Sequence, residues 1–463
     1  MKNGFAALVG FACLCLGVFR SPSLEAGKPN VIFIMVDDLG WMDLACQGNK
    51  VVDTPNIDRF AAEGMRFTSA YAAAPVCTPT RAAVLTGKSP ARLHITTHAP
   101  GGFLPKASKF LPAKTLIDLP LEHLTIAERL GAAGYRNAFL GKWHLAGDSR
   151  RGANGKGNVE FYPEAQGFHI NIGGCAYGGP PTYFDPYRIH TLPPRKKGEY
   201  LPDRLVDEAI SFIRENREKP FFVNLWPYTV HWPVEAPPDL IEKYSKRKGA
   251  WMRHHVYAAM IEAMDTAFGR LFGELKKLGL EKDTLVMLTS DNGPFLGVAG
   301  CEPLREGKGY LYEGGIRVPL MVRWPGRVRA GSVCDTPVIS MDYYPTIIEA
   351  LGLVRAAGEA PDGESLLPLL EEKKGFKERP LYFHFPNFSW HMKNRLGGAV
   401  RSGKYKLIEW YDDGSVELYD LEKDIGEKKN LAAKLPETAS NLLGKLRAWR
   451  KNSDAWMPRP RKG

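Results

Sequence analysis

Six consecutive apolar residues, Val31–Val36, stop abruptly at Asp37-Asp38. A strand that shows one face to water alternates apolar and polar side chains. An unbroken, β-branched-rich run is what a strand buried on both faces requires, the parallel-sheet type. Three more runs repeat the design. TLVMLTSDNG carries Thr284–Thr289 into Asp291, Asn292 and Gly293. YRNAFLGKWH ends in Lys142 and His144, and PFFVNLWPYTVHWP runs from Phe221 to Trp226 and then reaches His231. Segments with helical spacing lie between these runs: Leu124–Gly134, Asp203–Lys219 and Val256–Gly279. The alternation predicts an α/β fold, a large mixed, mainly parallel sheet flanked by helices. Ligands of such sheets bind outside the carboxyl ends of the strands, and all four polar clusters fall at such ends.

Each cluster alone is ordinary. Asp-Asp after a strand is a common turn or helix cap, and Asp-Asn-Gly a common turn tripeptide. Their convergence is not ordinary. Asp37, Asp38, Asp291 and Asn292 offer hard oxygen donors, which suit a divalent cation: calcium before the geometrically more demanding magnesium. Zinc is disfavoured, because no His or Cys residues are spaced as its ligands. The cationic set of Arg81, Lys142 and Lys308, with His144 and His231, suits a tetrahedral oxyanion held by charge-assisted hydrogen bonds.

The stretch PVCTPTRAAVLTGK, Pro75–Lys88, reads as a helix start with Cys77 at its mouth. A cysteine so placed can have a lowered pKa and act as a thiolate nucleophile or redox sensor, a reading that leaves the oxygen-rich set unexplained. The pattern Cys77-Thr78-Pro79-Thr80-Arg81, followed by Leu85-Thr86-Gly87, has matching company in order along the chain. The companions are PNVIFIMVDDLG, GKWH (Gly141–His144), SDNG (Ser290–Gly293), GKGYLYEGGIRVP and ELYDLEKDIGEKKNLA (Glu417–Ala432). Together they resemble the formylglycine-dependent sulfatase family, arylsulfatase-like members of the alkaline phosphatase superfamily.

The resemblance implies that Cys77 is oxidised to formylglycine by a formylglycine-generating or anaerobic sulfatase-maturating enzyme. A hydrated aldehyde offers one hydroxyl to attack sulfur and a second whose deprotonation releases sulfate, where an ordinary ester intermediate would be hard to hydrolyse. By position, Asp37, Asp38, Asp291 and Asn292, with the modified Cys77, would hold calcium. Arg81 and Lys142 would steady the formylglycine, and His144 would take its hydroxyl proton. Lys142, Lys308 and His231 would bind the sulfate, and His231 would protonate the leaving alcohol, a histidine's pKa lying nearer the working pH. Thr80 stands where many relatives carry Ser or Ala; with Pro79 and Arg81 in place, maturation is expected to survive it. The implied activity is that of an exported sulfatase acting on a sulfated carbohydrate. The alternatives are a phosphoester hydrolase of the same superfamily and, if Cys77 is never matured, a non-catalytic binder of sulfated glycans.

Residues 1–26 read as a signal peptide: Lys2 is followed by an apolar stretch, Phe5–Phe19, too short to span a membrane comfortably, and Ala26 ends a cleavage site. A periplasmic or secreted protein without a membrane span is expected. Cys46, Cys175, Cys301 and Cys334 would then either form two disulfides or remain free thiols. The net charge of +11 favours anionic partners, but no nucleic-acid-binding signature accompanies it. The short basic runs Lys246–Lys248 and RPRKG, from Arg459, read as exposed loops or ends. A boundary is expected in the charged, turn-rich stretch Pro361–Pro380, dividing a catalytic domain (27–375) from a C-terminal α+β subdomain (376–463). The latter would hold the strand candidates LYFHFP, GAVRSGKYKLIEW and SVELYD and a helix over Ser440–Arg450. Two irregular segments are candidates to read the substrate: Asn171–Arg188, for which a Gly-rich packing loop is the alternative, and the NFSWHMKNR loop (Asn387–Arg395), for which scaffolding is.

Overall fold

The computed structural model describes Met1 and residues 28–150, 155–249, 251, 253–356, 358–389 and 394–461. The leader expected over residues 1–26 lies outside them apart from Met1, as do Trp390 and His391 of the NFSWHMKNR loop.

The apolar runs form the centre of an eight-stranded sheet. In chain order its strands are β1 (Asn30–Val36), β2 (Met65–Phe67), β3 (Arg136–Gly141), β4 (Ile170–Ile172), β5 (Phe221–Trp226), β6 (Thr284–Ser290), β7 (Leu320–Arg323) and β8 (Ser332–Cys334). Across the sheet the order is β8-β2-β7-β6-β1-β5-β3-β4. β1 lies between β5 and β6, parallel to both, and every one of its residues is buried. Its unbroken apolar run is thus the run of a strand with no face to water. β7 is antiparallel to β6 and to β2, which makes the sheet mixed.

The helices fall into two packed groups. Leu201–Asn216 and Pro238–Ser245 pack on His255–Lys277, while Cys77–Thr86 packs with Ile126–Ala132 and Tyr343–Ala350. Thr125 opens Ile126–Ala132 with a reciprocal capping box to Glu128, which satisfies two otherwise orphaned amides.

Residues beyond 380 form a four-stranded antiparallel sheet, β9 (Leu381–Phe385), β10 (Gly397–Ser402), β11 (Tyr405–Trp410) and β12 (Val416–Asp420). The segment GAVRSGKYKLIEW is two strands rather than one: Gly403, at φ +56°, turns it into a hairpin. The closing helix, Pro436–Asn452, packs Leu442 and Leu446 against Val400, Leu407 and Leu418 of this sheet. The opposite face of the sheet, with Phe383, Ile408 and Trp410, shares a core with Tyr71, Val76 and Ala83, from the segment around Cys77. Among the described residues, no helix is long and apolar enough to cross a membrane.

Candidate active site

Where β1 and β6 end side by side, Asp37, Asp38 and Asp291 are delivered to one point. Val36 pairs with Ser290, so the next residues on each strand meet. The Asp38 amide donates to Asp291 Oδ1 at 3.1 Å. Ser290 Oγ donates to the Val36 and Asn292 carbonyls and accepts from the Leu39 amide, locking the two strand ends together. Asp38 sits at φ +62°, left-handed backbone that a non-glycine residue adopts only when its surroundings hold it there. Those surroundings include Tyr257, whose hydroxyl lies 3.1 Å from the Asp38 carbonyl and donates to Asp43 at 2.6 Å.

Cys77 begins the helix Cys77–Thr86 and is 1% exposed. Its Sγ and one carboxylate oxygen each from Asp37, Asp38 and Asp291 lie within 4.8 Å of one another. Three buried carboxylates repel, and three buried cations offset them. Lys142 Nζ donates to Asp37 Oδ2 at 2.6 Å. Arg81 grips Asp291 Oδ2 through Nε at 3.0 Å and Nη2 at 2.7 Å, and its Nη1 holds the Lys142 carbonyl. Lys308 reaches both oxygens of Asp38, at 2.6 and 2.8 Å. Gly141, at φ +107°, ends β3 so closely against the Trp226 carbonyl that a Cβ would lie 2.0 Å from it, and the next residue is Lys142. Lys308 is placed by the bond from the Gly309 amide to the carbonyl of Pro75, two residues before Cys77.

The compensation is uneven. Burial, then the neighbouring carboxylates Asp291 and Asp38, push the Asp37 carboxyl up to about 8 against the pull of Lys142. Burial also opposes ionisation of Asp38, but Lys308, His231 and Lys142 outweigh it and hold that carboxyl below its ordinary value. Asp37 Oδ1 and Asn292 Oδ1 are buried acceptors without a hydrogen-bond partner. Two unpartnered buried oxygens in a group of three carboxylates are costly in the protein alone and fit a hard cation.

The two histidines are held differently. A carbonyl only accepts, so His144 Nε2 donates to Ala99 at 2.8 Å, leaving the buried Nδ1 as a bare acceptor. Burial, then Lys142, keep this ring neutral, far below the usual histidine range. In His231 it is Nδ1 that donates, to the Trp232 carbonyl at 2.7 Å, while Nε2 lies 3.8 Å from Asp38 Oδ2. Burial and Lys308 push His231 down to about 3. His231, Asp38 and Lys308 line a pocket of about 480 Å³ with Trp232 and Phe295, and Trp232 is 57% exposed.

All ten residues singled out in the sequence therefore converge. Several partners were not legible there. Thr78 donates to the His144 carbonyl and accepts from the Ala99 amide, tying together the backbone that fixes His144. Thr80 exchanges hydrogen bonds with the amide and carbonyl of Ala74 across the helix mouth. The insert Asn171–Arg188 presses two glycines on the histidines: a Cβ on Gly178 would stand 2.8 Å from His144 Nε2, and one on Gly179 2.7 Å from His231 Nδ1. Only proximity in three dimensions reveals these roles.

The structure corrects one expectation and decides another. The helix mouth does not lower the Cys77 thiol. Burial, the largest influence, pushes it up to about 12 despite Lys142 and Lys308, so a resting thiolate is disfavoured. Cys46, Cys175, Cys301 and Cys334 are all free thiols, so the alternative of two disulfides is not realised.

The family model described as Sulfatase matches residues 29–353, and that described as N-sulphoglucosamine sulphohydrolase, C-terminal, matches residues 306–452. The chain is 32% identical to a sulfatase of Formosa agariphila, over 96% of this chain and 93% of that one. It is 31% identical to arylsulfatase A of Homo sapiens, over 91% of this chain and 87% of that one. Among solved structures, Ps i-CgsB in complex with k-i-k-neocarrahexaose is similar at a TM-score of 0.78 and 28% identity, covering 93% of this chain and 95% of that one.

Proposed function

We propose, from the premise that this chain belongs to the sulfatase family and is a sulfuric ester hydrolase, that it desulfates a sulfated carbohydrate with a formylglycine made from Cys77 and a bound divalent cation, calcium before magnesium. The observation that carries this reading is the group of Asp37, Asp38, Asp291 and Cys77 Sγ within 4.8 Å, with unpartnered oxygens on Asp37 and Asn292. Those four oxygen-bearing side chains, with the modified residue 77, would hold the cation, which when bound supplies positive charge to polarise the sulfate ester. The carbohydrate assignment is supported by Ps i-CgsB, whose structure contains k-i-k-neocarrahexaose.

A formylglycine hydrate at position 77 supplies one hydroxyl to attack sulfur and another to expel the sulfate. The residues around it divide the remaining work. Arg81 and Lys142 keep position 77 against the carboxylates. His144 Nδ1, bare and fixed by the bond from Nε2 to Ala99, accepts the hydroxyl proton. Lys308 and Lys142 balance charge on the sulfate oxygens. His231 is neutral in the protein alone; an anionic ester between it and Lys308 favours its protonated form, and Nε2 then gives its proton to the leaving alcohol. Cys77 is 1% exposed, so a formylglycine-generating or anaerobic sulfatase-maturating enzyme must reach the segment Pro75–Lys88 before the chain folds around it.

Residues 27–375 carry the chemistry in this reading, and 376–463 form a C-terminal α+β subdomain. The basic and then apolar residues from Lys2 to Phe19 support export to the periplasm or medium.

Turnover of a small aryl sulfate, a sulfated monosaccharide panel and the matching phosphate esters tests the proposal, with intact mass of the Cys77 peptide. An aldehyde at position 77, a preference for sulfate, and loss of turnover by about 10³-fold or more in Cys77→Ala are expected. Undiminished turnover by Cys77→Ala would sink it.

A further inference from the structure

The basic run from Arg459 takes no part in the chemistry above. The chain pairs Arg459–Pro460 antiparallel with Phe110–Leu111, and the Arg461 amide donates to the Lys109 carbonyl. This pairing brings two basic segments into one surface. Lys106, Lys109, Lys114, Arg459 and Arg461 are all exposed, and none pairs with a carboxylate among the described residues. The only acidic residue in 103–115 and 454–461 is Asp454, which lies 3.8 Å from His94.

The patch contains a formed pocket. Pro112, Lys114, Trp456, Met457 and Arg459 line about 410 Å³. Trp456 is fixed within it. Its ring stacks on His94 with centroids 4.0 Å apart and planes 9° apart, and its carbonyl accepts from His384 Nε2 at 3.0 Å. A preset aromatic wall costs little ordering entropy when a ring packs on it, and unpaired cations at a concave surface attract sulfate groups. The same surface is joined to the candidate active site. The 94–115 segment contains Ala99, whose carbonyl fixes His144, and Ala113, which bonds to Pro386 and Asn387. Asn394 in turn holds the Gly309 carbonyl beside Lys308.

We infer that this Trp456 pocket, lined by Lys114 and Arg459 on the same basic surface as Lys106, Lys109 and Arg461, is a binding site for a sulfated polysaccharide chain, holding sulfated sugars other than the one being cleaved. The inference deepens the carbohydrate reading, on which the identity of the polymer rests, and makes the substrate polymeric.

The test compares binding of fluorescent dextran sulfate with that of a single-stranded oligodeoxynucleotide of equal charge, and runs small aryl sulfate turnover in parallel. In the combined variant Lys114→Glu, Arg459→Glu, Arg461→Glu, dextran sulfate affinity should fall by roughly tenfold, because three surface cations that attract the polymer are reversed together. Aryl sulfate turnover should stay within about twofold, since these residues lie outside the chemistry. Trp456→Ala should weaken dextran sulfate binding with its charge dependence retained. Unchanged dextran sulfate affinity overturns the inference. So does an oligonucleotide that binds the unaltered protein as tightly as dextran sulfate and loses as much in the variant, which would mark a nucleic-acid surface. If charge reversal impairs folding, Lys114→Gln with Arg461→Gln must show the same selective loss, and its absence overturns the inference. Failure of every sulfate ester to turn over would strike the proposed reaction instead, leaving the binding comparison to decide the surface.

Discussion

Two buried charge clusters lie five residues apart on one loop and behave differently. Lys308 belongs to the first, with Asp37, Asp38, Asp291, Arg81 and Lys142; Glu313 belongs to the second, with Arg317, Lys406, Glu427, Arg401 and Tyr71. In the second, Lys406 Nζ bridges Glu313 at 3.0 Å and Glu427 at 2.9 Å, while Arg317 and the Tyr71 hydroxyl hold the other Glu313 oxygen. Both clusters are almost fully buried, so burial of charge does not tell a site from a weld. The sign of what is left over does. In the first cluster the surplus is acceptors: Asp37 Oδ1, Asn292 Oδ1 and His144 Nδ1 accept no hydrogen bond, Asp37 Oδ1 having only the Arg81 guanidinium at 3.5 Å, and Asp38 and Lys308 border a pocket. In the second, three cations face two glutamates: Glu427 Oε1 accepts no hydrogen bond but lies 2.9 Å from Lys406 Nζ, and Arg317 and Arg401 lie over the Tyr71 ring, at 5.8 and 5.0 Å from its centre. In the proposed reading the first cluster takes a cation and an anion. The other ties Tyr71 and Glu313 to Arg401 and Lys406 of the four-stranded sheet.

The largest effect that separates them comes from Lys406→Met. The substitution leaves Glu313 and Glu427 facing each other without their shared cation, and breaking a buried pair in this way costs about 3–5 kcal/mol. Denaturant unfolding should show that loss, while kcat of the folded fraction stays within about threefold because no reacting group moves. A kcat loss comparable to that of Lys308→Ala would show that the weld and the site are one energetic unit, and the comparison would break.

A smaller effect sharpens the difference from the other side. Gly179→Ala puts a methyl group 2.7 Å from His231 Nδ1 and 2.9 Å from the Trp232 carbonyl, the two partners of the bond that orients this ring. The ring must shift, and a misplacement of that order costs up to about 10²-fold in rate. Turnover should fall roughly 10- to 100-fold, with unfolding in denaturant nearly unchanged. Ordinary activity in Gly179→Ala would mean that the wall can yield and that the ring's position is not set by it.

Much of the first cluster was legible because its chemistry sits at strand ends. β1 and β6 announce themselves as apolar runs, and the residue after such a run is placed by the sheet whatever the loops do. The second cluster was not legible. Glu313, Arg317, Lys406 and Glu427 come from a short helical turn, a strand and a loop whose patterns look solvated one at a time, and a buried Glu-Lys-Glu bridge has no period in sequence. The hairpin at Gly403 is hidden for a related reason: a glycine between strand-forming residues reads equally as a bulge or a turn, and the antiparallel pairing of β10 with β11 decides it. Thr78 and Thr80 occupy the variable positions of a five-residue pattern, and their bonds to His144, Ala99 and Ala74 exist only once the helix mouth is folded.

The most localised of the predicted effects uses the second cluster as a pH probe. Burial, then Glu313 against the pull of Lys406, push the Glu427 carboxyl up to about 7 from an ordinary 4.5. Because the folded state holds this proton more tightly than the unfolded one, Glu427 stabilises the fold fully below about pH 4.5, and that contribution is lost as pH rises through about 7. Glu427→Gln carries no titrating proton. It keeps an oxygen that can accept from the Glu313 amide, as Glu427 Oε2 does at 2.7 Å. Its stability relative to the unaltered protein should therefore rise between about pH 4.5 and 7 and level off above, by an amount on the order of 3 kcal/mol, measured as the difference between urea unfolding free energies across that range. The first cluster should contribute nothing to this difference, because the substitution leaves its carboxylates alone. A difference that stays flat across the range would mean that Glu427 is ionised throughout, and that Lys406 compensates both glutamates as completely as Arg81 and Lys142 fail to compensate Asp37.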